Sequence, residues 1–196
     1  MEKLVSRLEA VALRLESVGG SPASGGTAPA PAATPSSGGG GSASASVEAF
    51  NAIVSEKVGK LVKLAEAIGD GDLIKTTGFL KAAFDEEAKI VSAIASCKKP
   101  TMQVLQGLLK PTADQIGLCY DFAGDRKNKS FQHTKVMSEC MQGLTWVAYQ
   151  EGSGMSMPTK TVQESWGCAE FFANKLLMQY RGKDQNQVDW VNSLKV

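Results

Sequence analysis

The sequence has 196 residues, of which 43% are hydrophobic, and its 21 Lys and Arg side chains nearly balance 20 Asp and Glu, for a net charge of +1. This length allows one folded domain with an appendage. The balanced charge argues against a nucleic-acid-binding protein, which needs clustered cations. No apolar run approaches the about 20 residues that cross a bilayer, and Met1-Glu2-Lys3 leads into charged residues rather than a signal-peptide core. We therefore expect a cytoplasmic protein with no membrane span.

The first 18 residues carry an apolar seam at heptad spacing, flanked by charges of both signs. This pattern is typical of a coiled-coil helix. A helix this short is marginal alone in water, which favours self-association or a helical partner. The alternative is an amphipathic helix that docks nowhere or onto its own domain. We call residues 1–18 the head, and its predicted seam consists of Leu4, Leu8, Val11, Leu15 and Val18.

Residues 19–46 separate the head from the rest of the chain. They are Gly, Ala, Ser, Thr and Pro almost throughout and carry no charge until the segment ends. Such a segment can bury very little, so the entropy cost of ordering it has no compensation. We predict a disordered, flexible linker here and a globular domain over 47–196.

Residues 47–196 show helical apolar periodicity and no alternating strand pattern. The sequence therefore predicts an all-α fold, an antiparallel bundle of about five to six helices preceded by the coiled-coil head and the linker. Gly69 should end the first helix and Asp72 should cap the second. Pro111 should break or kink the third, with Thr112 capping a restart. The predicted helices span 50–68, 73–97, 102–122, 130–149, 162–180 and 186–196, with Trp146, Trp166 and Trp190 in the core.

Residue types that carry chemistry are sparse. The four cysteines are far apart and form no CxxC pair, so a zinc site is not expected and all four are predicted to be reduced core thiols: Cys97, Cys119, Cys140 and Cys168. The single histidine, His133, has no nucleophile motif beside it and is interpreted as a structural residue at the surface or half buried. Asp70 and Asp72 lack the remaining ligands of a calcium loop. The sequence predicts no metal, no cofactor and no enzymatic activity.

The densest basic cluster is Asp125-Arg126-Lys127-Asn128-Lys129-Ser130. It is interpreted first as a solvated loop and second as a contact surface for an acidic protein partner.

Several strings are family-specific when taken in order. Arg-Leu-Glu occurs at 7–9 and again at 14–16, and further strings are Phe131-Gln132-His133, Leu144-Thr145-Trp146-Val147-Ala148, Ala169-Glu170-Phe171, Asn174-Lys175-Leu176-Leu177, Tyr180-Arg181 and Val188-Asp189-Trp190. Together they resemble the cyclase-associated proteins, also called adenylyl cyclase-associated proteins. Gly154-Met155-Ser156-Met157-Pro158 followed by Glu164-Ser165-Trp166 is most similar to the plant and algal branch. The resemblance covers the head and the globular zone.

The resemblance implies a function. In this family the N-terminal half binds complexes of cofilin with actin and promotes filament disassembly, and the head is implicated in self-association and, in fungi, in binding adenylyl cyclase. The favoured hypothesis is a non-enzymatic, cytoskeleton-associated regulator that binds actin or cofilin–actin and promotes filament disassembly and monomer recycling. The alternative is a signalling scaffold that binds adenylyl cyclase or another coiled-coil partner through the head.

The family's Phe-x-His strip adjoins the basic cluster, although Gln132 and Thr134 stand where members usually have Asn and Leu. Full-length members continue into a proline-rich region and a β-rich actin-binding domain. The sequence is therefore expected to be a truncated product, an unusual isoform or an incomplete gene model, and nucleotide-exchange activity is not carried over. The candidate actin or cofilin contacts are Arg126, Lys127, Lys129, Phe131, His133 and Lys135.

Overall fold

The computed structural model describes residues 40–96 and 100–195, and of residues 40–44 and Met102 only the backbone. Within these ranges the chain forms six helices and no strand, which confirms the predicted all-α bundle. The head and residues 19–39 lie outside the described residues, so the coiled coil and most of the linker stay predictions.

The first helix, α1, runs without a break through residues 40–68. It consists of an α-helical stretch, Gly40–Ile53, a π-helical turn, Val54–Val58, and a second α-helical stretch, Gly59–Ile68. Its start lies inside the segment predicted as linker, so residues 40–46 are helical rather than irregular. Ala and Ser tolerate helix, and extending a helix from turns that are already packed costs little. Its end is as predicted, because Gly69 adopts the left-handed conformation (φ 74°) that terminates a helix.

The second helix, α2, spans Gly71–Ser96 and begins two residues earlier than predicted. Its cap is Asp70 rather than Asp72, since Asp70 Oδ1 accepts hydrogen bonds from the amides of Asp72 and Leu73, both at 3.0 Å. Either aspartate satisfies the composition rule for a cap, and the position of the Gly69 turn decides between them.

The third helix, α3, spans Met102–Gly124 and contains Pro111 within it. Of the two predicted outcomes, the break with a restart is wrong, because the helix continues through the proline, and the kink stays a prediction. Thr112 is buried at 2% exposure and so belongs to the packed face rather than to a cap. Packing of α3 along α2 on one side and the following helix on the other compensates for the hydrogen bond that proline removes.

The last three helices complete the bundle. Helix α4 spans Phe131–Met141 and tightens into a 3-10 turn, Gln142–Ala148. Helix α5 spans Pro158–Tyr180, four residues longer at its start than predicted because Pro158 occupies the first turn, where its missing N–H costs nothing. Helix α6 spans Gln185–Ser193 and is capped by Asp184 Oδ1, which accepts from the Asn186 and Gln187 amides.

A single hydrophobic core holds these helices together. Helix α6 contacts both α1 and α5, so the last helix closes the bundle against the first. Trp190 is fully buried, as predicted, whereas Trp146 and Trp166 are only half buried at the edge of the core. The fully buried apolar residues include Leu73, Ala83, Val136, Met137, Met141, Ala169, Ala173, Trp190 and Val191.

The cysteine prediction is only partly right. Cys119 is fully buried and Cys140 is half buried, and burial raises the pKa of each thiol to about 12. Cys168 is exposed on α5 and is not a core thiol. It lies one step from the buried Ala169, on the outward face of the helix, a placement that spacing alone did not indicate. Cys97 lies outside the described residues.

Among residues 45–96 and 100–195, one acidic side chain is fully buried. Glu87 lies on the inner face of α2, and burial raises its pKa from 4.5 to about 8. The Trp146 side chain lowers the pKa, but it offsets only part of this rise. The folded protein therefore holds Glu87 protonated near pH 7, whereas the unfolded chain ionises it. Because the folded pKa is the higher one, the folded state binds this proton more tightly than the unfolded chain does. The resulting contribution to the free energy of unfolding is complete below pH 4.5 and is lost as the pH rises towards 8.

We therefore expect Glu87→Gln to change the pH dependence of stability. The wild-type free energy of unfolding should fall relative to the variant between pH 5 and 8, by up to about 1.4 kcal/mol per pH unit. Urea denaturation at pH 5, 6, 7 and 8 measures the difference between the two proteins and cancels contributions from other groups. Parallel profiles for the two proteins would show that Glu87 ionises normally in the fold.

Candidate functional site

The basic cluster forms an exposed loop between α3 and α4. Arg126, Lys127 and Lys129 are all exposed. The loop is shaped by its own polar groups, since Asp125 Oδ1 accepts from the Lys127 amide at 2.9 Å and the Asn128 side chain donates to the Phe122 carbonyl at 2.8 Å. These bonds use the loop's acceptors internally and leave the three cations directed towards solvent.

The loop continues into an aromatic and cationic cluster at the start of α4. Phe131 and Lys135 are half buried, and Tyr120 on α3 is 39% exposed. Lys135 Nζ lies 5.6 Å from the Tyr120 ring centroid and 5.9 Å from that of Phe131, within the range of cation–π attraction. The structure therefore brings five of the predicted residues together in one region. We call this region the basic surface: Arg126, Lys127, Lys129, Phe131 and Lys135, with Tyr120.

One member of the basic surface, Tyr120, and one residue next to it, Lys75, were not predicted from the sequence. Tyr120 lies on the polar side of α3, where an exposed aromatic residue is the only signal that could have identified it. Lys75 on α2 places its Nζ 4.3 Å from the centroid of the Phe122 ring, which extends the positive charge across to a neighbouring helix. That contact depends on how α2 and α3 pack, so the spacing of residues along the sequence does not indicate it.

The sixth predicted residue, His133, does not belong to the exposed surface. It is only 4% exposed, and its ring lies 5.3 Å from the Trp190 ring and 5.8 Å from the Tyr180 ring. Its Nε2–H donates to Gln187 Oε1 at 2.6 Å. His133 therefore joins α4 to α5 and α6 from the inside, one helical turn beneath the basic loop. The prediction that His133 lies at the surface or half buried is wrong, because the ring is buried.

The charge states near His133 follow from burial and hydrogen bonding. Burial lowers the pKa of His133, and the Gln187 hydrogen bond and the carboxylate of Asp70 oppose this only in part. Partial burial would raise the pKa of Asp70, but hydrogen bonds from the Ser130 side chain and from the Leu73 and Asp72 amides outweigh it and lower the pKa. Ser130 thus connects the basic loop to the α1–α2 turn.

The described residues do not assemble the groups that metal chemistry requires. Across 40–96 and 100–195, no three His, Cys, Asp or Glu side chains are placed to hold a metal ion. In the same ranges no helix combines the length and the apolar content that a membrane span needs. Asp70 and Asp72, the pair considered for calcium, serve the helix cap and the helix start instead.

The fold and surface define a class: a helical domain that presents a charged and aromatic surface over a buried polar cluster. Comparison with known proteins gives the family. The family model for the CAP N-terminal domain matches residues 50–196, and that for the CAP N-terminal conserved motif matches residues 2–48. The chain belongs to the cyclase-associated protein family.

Curated relatives support this across nearly the whole chain. Cyclase-associated protein 1 of Arabidopsis thaliana is 33% identical over 99% of this chain, and adenylyl cyclase-associated protein 1 of Mus musculus is 30% identical over 98%. The match spans 41% and 38% of those two proteins, so the chain covers about two fifths of their length.

Solved structures support the same fold. A crystal structure of the N-terminal domain of CAP, described as indicating variable oligomerisation, aligns with a TM-score of 0.70 at 29% identity, over 78% of this chain and 82% of that one. The N-terminal domain of the adenylyl cyclase-associated protein from Dictyostelium discoideum aligns with a TM-score of 0.68 at 28% identity, over 76% and 84%.

The buried and exposed halves of this region should respond differently to mutation. His133→Ala removes a buried ring from Trp190 and leaves the Gln187 amide without its donor, so we expect a loss of about 2–4 kcal/mol in unfolding free energy. The triple substitution Arg126→Ala, Lys127→Ala and Lys129→Ala should change it by no more than about 0.5 kcal/mol per residue. Chemical denaturation of both variants measures this. A stable His133→Ala variant would contradict the buried placement.

Proposed function

We propose that this chain is a non-enzymatic regulator of the actin cytoskeleton, which binds actin or cofilin–actin and promotes filament disassembly and monomer recycling. The observation that supports the proposal most strongly is the match to the CAP N-terminal domain over residues 50–196. Filament disassembly of this kind needs no bond-making step, because a protein that binds a strained actin conformation more tightly than the relaxed one shifts the population towards it. The proposal places the protein in the cytoplasm at actin structures.

The basic surface is the proposed contact. Actin is acidic, and exposed cations around a partly desolvated aromatic centre provide both long-range attraction and local contact area. Phe131 and Tyr120 supply that centre, and Lys135 is held beside both rings. His133 has a supporting role in this proposal, since it anchors the start of α4 from beneath and does not reach the partner.

We expect Arg126→Ala, Lys127→Ala and Lys129→Ala together to weaken binding to cofilin-decorated filaments by at least tenfold at low salt. The loss should shrink as salt rises, because screening reduces the wild-type attraction. Cosedimentation and single-filament imaging measure binding and disassembly. The matched control removes three exposed cations elsewhere, Lys60, Lys63 and Lys110, and should retain wild-type binding. Equal loss in both triple variants would indicate a general charge effect rather than a site.

Self-association through the head is the second part of the proposal. Leu8→Glu with Leu15→Glu places two charges in the predicted seam, where burial without a partner is costly. At concentrations where the wild type is oligomeric, sedimentation should report monomers for this variant. An unchanged mass would remove the coiled-coil interpretation.

The scaffold function is retained as an alternative because the mouse and Dictyostelium discoideum relatives carry adenylyl cyclase in their names. It requires only the head, so it makes the opposite prediction about the bundle. If the chain acts as a scaffold, the basic-surface variant should be fully active in cyclase binding and the Leu8→Glu, Leu15→Glu variant inactive.

A further inference from the structure

An apolar groove lies at the opposite end of the bundle from the basic loop. Its volume is about 390 Å³, and its walls come from α1, the end of α2, the 3-10 turn and the start of α5. A second depression of about 420 Å³ shares Trp146 and Pro158 with it and extends the surface to Val162. Ile94 and Val162 are 46% and 47% exposed. The residues that define the groove are Ser46, Val91, Ile94, Trp146, Val147 and Pro158.

The groove is lined mainly by apolar side chains, and an apolar surface that covered it would remove Ile94 and Val162 further from water. The groove is open along one side and bordered by helices, which is the geometry that accepts an amphipathic helix. Its occupant therefore needs large apolar side chains at helical spacing on one face.

The chain outside the structure enters beside this groove. Ser46 is one of the lining residues, and α1 begins at Gly40, six residues and about 9 Å of helix before it. Residues 19–39 precede that point. For a flexible chain of their Gly-rich composition, the root-mean-square end-to-end distance is about 25 Å, a length over which a segment N-terminal to residue 19 could reach the groove.

The sequence of residues 1–39 leaves one segment with the required side chains. Residues 19–39 contain nothing larger than Pro or Thr, whereas the head has four-three-four-three spacing of Leu and Val. We propose that residues 4–18 dock as a helix in the groove of their own domain. This rests on the predicted head helix and not on the proposed actin contact.

Docking in cis competes with self-association, because both use the same seam. The linker gives the head an effective concentration on the order of 1 mM at its own groove. If the groove bound the head with an intrinsic dissociation constant of about 0.1 mM, about nine tenths of the heads would be docked and the free fraction available for a coiled coil would fall about tenfold. The domain thereby sets the concentration at which the protein assembles.

Methyl and indole NMR of the full chain tests the docking directly. At a concentration where sedimentation reports monomers, the Ile94 and Val147 methyl signals and the Trp146 indole signal should differ between wild type and Leu8→Glu, Leu15→Glu. The Met178 methyl, which is 82% exposed on α5, serves as the internal control and should not move. Identical groove signals in the two proteins would overturn the proposal.

A groove variant tests the competition. Ile94→Glu, at a half-exposed position, should release the head and lower the midpoint concentration for self-association by more than tenfold, or by about a hundredfold if the oligomer is a dimer, whereas Met178→Glu should leave it unchanged. Thermal melts verify that both are folded. If the groove signals move only at concentrations where oligomers form, the head binds a neighbour's groove and the docking in cis is wrong. An unchanged midpoint in folded Ile94→Glu overturns the competition as well.

Discussion

The burial of Trp190 against His133 is the contact on which the rest of this molecule depends. It fixes α6, the last helix, to the start of α4. The hydrogen bond between His133 and Gln187 also fixes the orientation of the two helices at this contact. Because α6 also packs on α1, this one junction connects the two ends of the described chain. The basic loop is attached directly above it, so the orientation of the proposed partner surface is determined from within the bundle rather than by the loop itself.

Much of the fold follows from apolar spacing alone. Apolar residues at helical spacing form the inner face of α1, where Val58, Leu61 and Ala65 are buried. The predicted stripe of α5 is confirmed at Ala169, Ala173 and Leu176 and is wrong at its first member, Val162, which is 47% exposed. Local sequence signals were less informative where two local structures are possible, such as a helix break and a continuous helix. Pro111 reads as a break in isolation, yet neighbouring helices hold α3 continuous through it.

The site was predictable only in part, for a physical reason. A run of cations in a loop is visible in the sequence, and its exposure follows from charge. The depth of His133 is not visible there, because it depends on α5 and α6 arriving from more than forty residues away. The same limit applies to Lys75 and to the exposed Cys168, whose positions depend on which side of a helix another helix covers.

The π-helical turn in α1 keeps the apolar side chains before and after it directed towards the bundle. Phe50, Val54 and Val58 are separated by two successive steps of four, which would rotate the apolar stripe by about 80° around an ideal α-helix. The wider winding at Val54–Val58 takes up much of this rotation, so that Phe50 meets Phe84 and Trp146 while Val58 still enters the core. The π-helical turn therefore corrects the rotation of the first half of α1 relative to the second by about one residue. Losing a single residue there would turn the N-terminal half of α1 by about 100° relative to the bundle, and with it the side on which Gly40 lies.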